Sequence, residues 1–470
     1  MRWVISRDRL AESLEHALGR YGLRVRTLAA FLSLEALIAN FYVVITRSIT
    51  PILLVSVGFS IRDILMLNIL AYLTALATAY YLNQHSDILK KNVKVRLLVV
   101  HGLERIFWGI IPLTALLAPA LLYVNYIVAV TLTIPTSSLM STVIFTRLSN
   151  SELRRLLTRR GALGAVSNVI GQVTAVMVLM STAAVSKYIY LYLLAMAVGL
   201  MSTLVIALTP IPARISGPPR TKPQEVEEVS VKLVNVFLFL TSLLASGAIL
   251  GVVWGPYLMK YLQAPDYLAA SLGLVQTISV MGSSLFWGGR PYSTYKLAIL
   301  ANSLIPLLIV ITPRPELHLA VAALYAFSYT GSNFLASLIY GEVSKSFDVG
   351  KTATMLAAAS SLAQILGLGV ALLISQNTSL MFIVAAILSI IATAIAFTTI
   401  PETALPRESY VRVYSRVLYN ISVSSYNFTI FTLRSTALLA AKLLGFATVL
   451  LILYIIYRVL YYIVAIIYGE

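Results

Sequence analysis

Pro210-Ile-Pro-Ala-Arg-Ile-Ser-Gly-Pro-Pro-Arg-Thr-Lys-Pro-Gln-Glu-Val-Glu-Glu-Val-Ser230 is the longest polar break in a 470-residue chain that is 59% hydrophobic and 11% charged. Its prolines (Pro210, Pro212, Pro218, Pro219, Pro223) and the acidic run Glu225, Glu227, Glu228 read as a flexible linker. Outward from it, apolar runs recur in both directions at the length of a bilayer crossing, which is about 20 residues. The predicted spans are 28–56, 61–83, 97–117, 122–145, 162–184 and 188–209 before the linker. After it come 233–256, 267–287, 297–312, 317–341, 352–374, 379–399 and 436–466. Soluble domains are about 45–50% apolar and about 25% charged. A chain this apolar is therefore expected to be all-α and polytopic, with lipid as its main solvent. The linker sets six spans against six, with a thirteenth left over.

The domains expected from this pattern are an amphipathic surface helix in 1–26, a six-helix bundle in 27–209 and the linker 210–231. A second six-helix bundle in 232–400, an interfacial segment in 401–435 and an additional transmembrane helix in 436–470 follow. In the first segment Ser6 can cap a helix, Leu10, Leu14 and Leu18 recur every four residues, and Gly22 can end it. No short apolar core with a small-residue cleavage site precedes the first span, which is expected to serve as the targeting signal.

The formal net charge of +17 raises the question of nucleic acid. Phosphate binding wants one contiguous basic face with interleaved aromatics, whereas here the Lys and Arg residues are divided among separate loops. With the N-terminus cytoplasmic, the inner loops hold nearly all of them. The outer side keeps only Arg47, Arg62, Lys187, Lys260 and Arg314. The positive-inside rule then gives a cytoplasmic N-terminus, an extracytoplasmic C-terminus after thirteen spans, and the cell membrane as location. No nucleic-acid partner is expected. Cysteine is absent, which excludes disulfides and thiolate chemistry, and the four histidines (His16, His85, His101, His318) are scattered.

Internal similarity points to a parallel repeat. Ser167-Asn-Val-Ile-Gly171 in span five resembles Ala363-Gln-Ile-Leu-Gly367 in span eleven, and Gly58-Phe-Ser60 before span two has a counterpart in Gln263-Ala-Pro-Asp266 before span eight. Spans five and eleven also carry small residues at packing spacing, Gly164, Ser167 and Gly171 against Ala359, Ala363 and Gly367.

The loop Asn83-Gln-His-Ser-Asp87-Ile-Leu-Lys90-Lys91 after span two, the six-plus-six arrangement and the basic linker together resemble the major facilitator superfamily of transporters. Arg154, Arg155, Arg159 and Arg160 before Gly161-Ala-Leu-Gly164 look like that family's basic loop into span five, and Ile400-Pro-Glu-Thr403 is similar to a segment after its span twelve. The resemblance covers about residues 25–400. Asn83 and Lys90 stand where the family has glycine, Ile88 where it has arginine, and Trp287-Gly-Gly-Arg290-Pro lacks the acid in the second half. The resemblance implies a bundle of twelve helices whose spans one, four, seven and ten line a substrate path. It also implies that Asp87, Lys90 and Lys91, with Arg159 and Arg160, help to close the cytoplasmic side.

Ionisable groups in hydrocarbon cost about 2.5 to 3.5 kcal/mol at a helix centre, so each needs a partner or a task. Glu35, the most isolated acid, is the candidate proton-coupling site, against a reading as an interfacial residue or a partner of Arg105. Asn40 and Arg47, seven residues apart, can share one side of span one. Should the helix run on through Pro51, Arg47 could hold an anionic substrate group. Should it stop early, Arg47 meets headgroups, and that second reading is favoured slightly. Glu104 and Arg105 are expected to pair structurally, and His101 to be interfacial. Span four offers Ser137, span seven Asn235, and span ten a stripe with Tyr325, Tyr329 and Asn333.

The expected function is a secondary active transporter moving a small solute by alternating access, with the bilayer as environment, protons as a candidate coupling ion, and neither a cofactor nor a metal. A lipid or polyprenyl-linked flippase of another fold and a non-transporting scaffold derived from a transporter are the alternatives. An enzyme is not expected, since no His-Glu-x-x-His, paired aspartate or Ser/His constellation is present. Asp348-Val-Gly-Lys351-Thr lacks the glycine spacing of a nucleotide-binding loop.

Overall fold

The computed structural model describes residues 7–147, 150–181, 184–211, 233–287, 290, 292–344 and 349–399. The predicted interfacial segment and the thirteenth span lie outside them, as does most of the linker. The regular elements are helices: α1 (Arg7–Ser56), α2 (Ile61–Gln84), α3 (Val93–Gly109), α4 (Ile111–Leu117), α5 (Pro119–Arg147), α6 (Asn150–Ser181) and α7 (Ser186–Leu208) in the first half. The second half holds α8 (Leu233–Lys260), α9 (Asp266–Trp287), α10 (Tyr292–Ile311), α11 (Leu317–Ser344), α12 (Val349–Leu373) and α13 (Thr378–Thr399).

Among the described residues, nine helices are long and apolar enough to cross a membrane, ten when α3 and α4 are joined. The chain is a multi-pass membrane protein. The pair α3 and α4 is the third predicted span, broken by a 47° bend. Its cause is local: Pro112 at the start of α4 has no N–H to continue the ladder of α3, and Ile110 between them leaves the helical region. At 28 and 25 residues, α11 and α12 have the length to span as well. Of these, α12 holds the shorter apolar stretch Ala357–Leu373, and in the packing of the second half α11 and α12 stand where α5 and α6 do in the first.

One boundary differs from expectation. Gly22 was expected to end a separate surface helix, but α1 runs unbroken for 50 residues from Arg7 to Ser56. A glycine inside a helix costs about 1 kcal/mol, too little to stop one that continues into an apolar span.

Counting α3 with α4 as one span, the packing repeats itself. In the first half α1 packs on α6 and α7, α5 on α2 and α3, and α3 on α7. Six spans later, α8 packs on α12 and α13, α11 on α9 and α10, and α10 on α13. Each contact of one half thus has its counterpart in the other, as a parallel repeat requires. The halves meet along α2 with α12 and α6 with α9, a pair of seams that the same shift exchanges.

The two sequence echoes hold matching places. Gly171 lets α6 close on α1 at Val44 and the Phe41 backbone, while Gly367 lets α12 close on the Ala245 backbone of α8. Before α2 and before α9 the chain passes through left-handed backbone, at Gly58 (φ 98°) and Gln263 (φ 52°). In lipid, close backbone approach replaces the hydrophobic drive for helix association. Gly367→Val is therefore expected to push α12 off α8 and cost about 1–3 kcal/mol. Gly369→Val, at a position where a Cβ meets nothing within 4 Å, should be nearly silent. Thermal unfolding of the two purified variants in detergent checks this contrast.

The apolar core is not symmetric from end to end. One cluster fills the first half from Leu28 to Leu157 and runs on into the second through Ile249, Val253, Leu258, Ile309, Leu368 and Phe382. These second-half residues lie toward the end where α8 meets α9. At the end that carries Lys90, Lys91 and Arg159, called here the basic end, the second half keeps a cluster of its own, with Phe239, Leu243, Trp287, Ile299 and Ala392. Among the described residues the halves therefore share one buried apolar cluster at the end away from the basic loops, while at the basic end the buried apolar residues of the second half form a cluster of their own.

Candidate functional site

Six ionisable side chains line up inside the first half. Glu35 of α1 accepts from Arg160 of α6 at 2.8 Å and lies 3.7 Å from His101 Nε2 of α3. That Nε2 is 2.8 Å from the Arg105 guanidinium. Arg105 reaches Glu104 at 3.0 Å, and Glu104 reaches Arg47 of α1 at 2.8 Å. Helical geometry explains the chain of contacts: His101 and Arg105 are one turn apart on α3 and share a face, while Glu104 beside them points at α1. Glu35, His101, Glu104 and Arg105 are all at most 4% exposed.

The aromatic walls add to this. The Arg105 guanidinium lies 4.4 Å from the centroid of the Tyr42 ring, and that of Arg47 5.6 Å from Trp108. The Tyr42 hydroxyl donates to the Glu104 carbonyl, and His101 Nδ1 is 2.7 Å from the Thr203 hydroxyl of α7. Charges buried this deeply persist only when paired. The set has three guanidiniums to two carboxylates, so its balance tilts to positive, and a proton taken up at Glu35 or His101 adds to that tilt.

Four expectations change here. Glu35 is not an isolated acid, because Arg160 reaches across from α6, where it also donates to the Leu32 carbonyl. Its partner is not Arg105, which is directed at Glu104 and Tyr42. His101 is not interfacial but fully buried. Arg47 does not meet headgroups, since α1 continues through Pro51 and brings the side chain to Glu104.

The other candidates divide by location. Asn40 donates to the Ala36 carbonyl of its own helix and stands against Gly164 of α6, and Ser137 donates to Ile134 of its own helix. Asn235 is half-buried on α8. On α11 the Tyr325 and Tyr329 rings stack 5.2 Å apart, and Asn333 lies a turn further on. Both hydroxyls face Gly247 of α8. Tyr325 also meets Trp254 edge-on, and Trp254 donates to His318 at 3.0 Å. The stripe read from sequence therefore faces span seven, but it is not joined to the charged line in the first half.

At the basic end, Asp87 lies exposed in a short 3-10 turn, Ser86–Lys90, and Lys91 and Arg159 are exposed too. Arg160 departs from the expected latch set, since its side chain is turned into its own half toward Glu35. Among the described residues, the Thr354 hydroxyl of α12 crosses between the halves there, donating to Asn83 of α2 at 3.0 Å. Sequence reasoning singled out neither residue for this. It also did not pair Lys187 with Asp266, which meet at 2.6 Å across the halves at the opposite end. Among the described residues no group of three His, Cys, Asp or Glu side chains is placed to hold a metal ion.

No protein-family model matches the sequence, and no curated protein matches it. The fold does have counterparts. A crystal structure of a mutant nucleoside transporter NupG superposes with a TM-score of 0.59 at 14% identity, over 80% of this chain and 100% of that one. A mutant of the Escherichia coli fucose:proton symporter FucP superposes at 0.50 and 12% identity, over 81% of this chain and 99% of that one.

Proposed function

Because the chain carries the fold of the major facilitator transporters, we propose that it is a secondary transporter, moving a small solute along the seam between its two halves by alternating access. The observation that supports this most is the pairing of the halves: two sets of helices with matching internal packing meet along α2 with α12 and α6 with α9, and share a buried apolar cluster at the end away from the basic loops. That is the arrangement of a rocking pair caught with one side closed. On the positive-inside rule the basic end is cytoplasmic. In this reading Asn40, Arg47, Ser137, Asn235, Tyr325, Tyr329 and Asn333 belong to the route. Asp87, Lys90, Lys91 and Arg159 belong to the cytoplasmic gate, and Glu35, held in place by Arg160, is the proton-coupling acid.

The similar structures are named for a nucleoside and for fucose with protons, and this supports a small polar solute and a proton as coupling ion here. The test is reconstitution in liposomes with uptake of such solutes measured with and without a pH gradient. Saturable uptake that an imposed gradient drives above equilibration is expected. A protein that moves no small solute under either condition, yet scrambles labelled phospholipid or polyprenyl phosphate, would return the function to the flippase alternative.

A further inference from the structure

Asp266 opens α9 directly after the left-handed Gln263 and Pro265, so its carboxylate stands at the tip of the second half, at the end away from the basic loops. Two neighbours from the first half converge on one of its oxygens. Lys187 Nζ of α7 is 2.6 Å from Oδ2, and the Tyr188 hydroxyl donates to the same atom at 2.7 Å. The pair is not a loose surface contact, since the side chains are 7% and 14% exposed. Lys187 is further fixed by donating to the Leu179 carbonyl at the end of α6. A second strap lies close in sequence: Lys260, the last residue of α8, donates to the Phe59 carbonyl in the α1–α2 turn at 2.7 Å. Beneath these contacts, Ile52 of α1 is buried and Gly255 of α8 packs against it.

From this convergence we propose that Asp266 is the gating residue of the end remote from the basic loops. It clamps α6 and α7 of the first half to α9 of the second, and it must release Lys187 and Tyr188 for that side to open. The proposal rests on the transporter reading above, because a clamp between halves is a gate only where the halves move. The physical case is one of charge. At the remote end a carboxylate, an ammonium, a phenol and a second ammonium cross the seam. Charge-assisted bonds are about twice as strong as neutral ones. The conformation with the remote side shut is the one this arrangement favours, and removing the carboxylate shifts the balance toward its opposite.

The chain has no cysteine, so single reporters can be introduced without a background. Ile52→Cys reports the seam under the clamp, and Asn333→Cys reports the half-buried α11 face toward the basic end. Each is labelled with a maleimide in the full-length protein in nanodiscs, with and without Asp266→Asn. We expect Asp266→Asn to speed labelling at position 52 about tenfold and to slow it at 333. The exchange Lys187→Asp with Asp266→Lys should return both rates toward those of the parent. Unchanged rates at both positions overturn the proposal. A rise at both overturns it too, because that marks a loosened fold and not a gate. Reciprocal changes in a protein that carries no solute leave the gate standing and defeat the transporter reading instead.

Discussion

Replacing Glu104 by glutamine is expected to cost about 3–5 kcal/mol of stability, the range found when one member of a buried ion pair is removed. Glu104 is 1% exposed and is the carboxylate that both Arg47, at 2.8 Å, and Arg105, at 3.0 Å, contact. A glutamine fills the same volume and offers one oxygen, but no charge. The two guanidiniums would then face one another across α1 and α3, with Glu35 already held by Arg160. Their Nε atoms find no hydrogen-bond acceptor even with Glu104 present, so little spare capacity exists to absorb the loss. The bilayer supplies no water to replace it. Loss of most of the monodisperse protein on gel filtration, together with a strongly lowered unfolding temperature in detergent, is the expected readout. Adding Arg47→Gln should recover part of the loss by removing one stranded cation. Arg159→Gln, exposed at the basic end, should stay within about 0.5 kcal/mol of the parent. A Glu104→Gln protein as stable as the Arg159→Gln control would mean that the buried line is not held by its charges.

How far the sequence could be read follows from the range of each interaction. The described spans are local facts of composition, and they fall close to where the apolar runs place them. The repeat was legible too, because Gly171 and Gly367 are small for the same packing reason, each admitting the neighbouring backbone of α1 or α8. The stripe Tyr325, Tyr329, Asn333 is likewise a matter of helical spacing. Partners that lie far apart in sequence were not legible. Arg160 is 125 residues from Glu35, and no spacing rule links them. Lys187 and Asp266 read separately as an outer-side charge and a turn residue, and only the packing of α6 on α9, which brings the start of α7 to the start of α9, joins them. The bend at Pro112 and the passage of α1 through Gly22 and Pro51 are decided by neighbours that stabilise or interrupt a helix from outside. His101 carried a usable signal, since His101, Glu104 and Arg105 within five positions of one helix form an unusually polar face for a span. Such a face is bought only where other helices cover it.

Glu35→Gln is expected to abolish accumulation driven by a pH gradient while leaving downhill exchange of the same solute in place. The argument begins with what the substitution preserves. A glutamine side-chain oxygen at position 35 can still accept from Arg160, whose guanidinium is also anchored on the Leu32 carbonyl, so α1 and α6 stay joined. What disappears is a group that can take up and release a proton within the bilayer. Carboxylates in spans mark proton pathways when they face a partner they can exchange. Here two candidates flank the acid, Arg160 on one side and His101 on the other, the latter 3.7 Å away. Through His101 and Arg105, Glu35 connects to Glu104 and thus to Arg47 of the same helix. Loss of charge at 35 removes one of two carboxylates from a set with three arginines, so some loss of stability accompanies the functional effect. Arg160→Gln controls for it, because that change strands Glu35 but keeps its proton. If Glu35 is the coupling acid, Arg160→Gln retains a response to the pH gradient and Glu35→Gln loses it. Accumulation by Glu35→Gln equal to that of the parent would place proton coupling elsewhere and leave the line from Arg160 to Arg47 as a strut that holds α1 to α3 and α6.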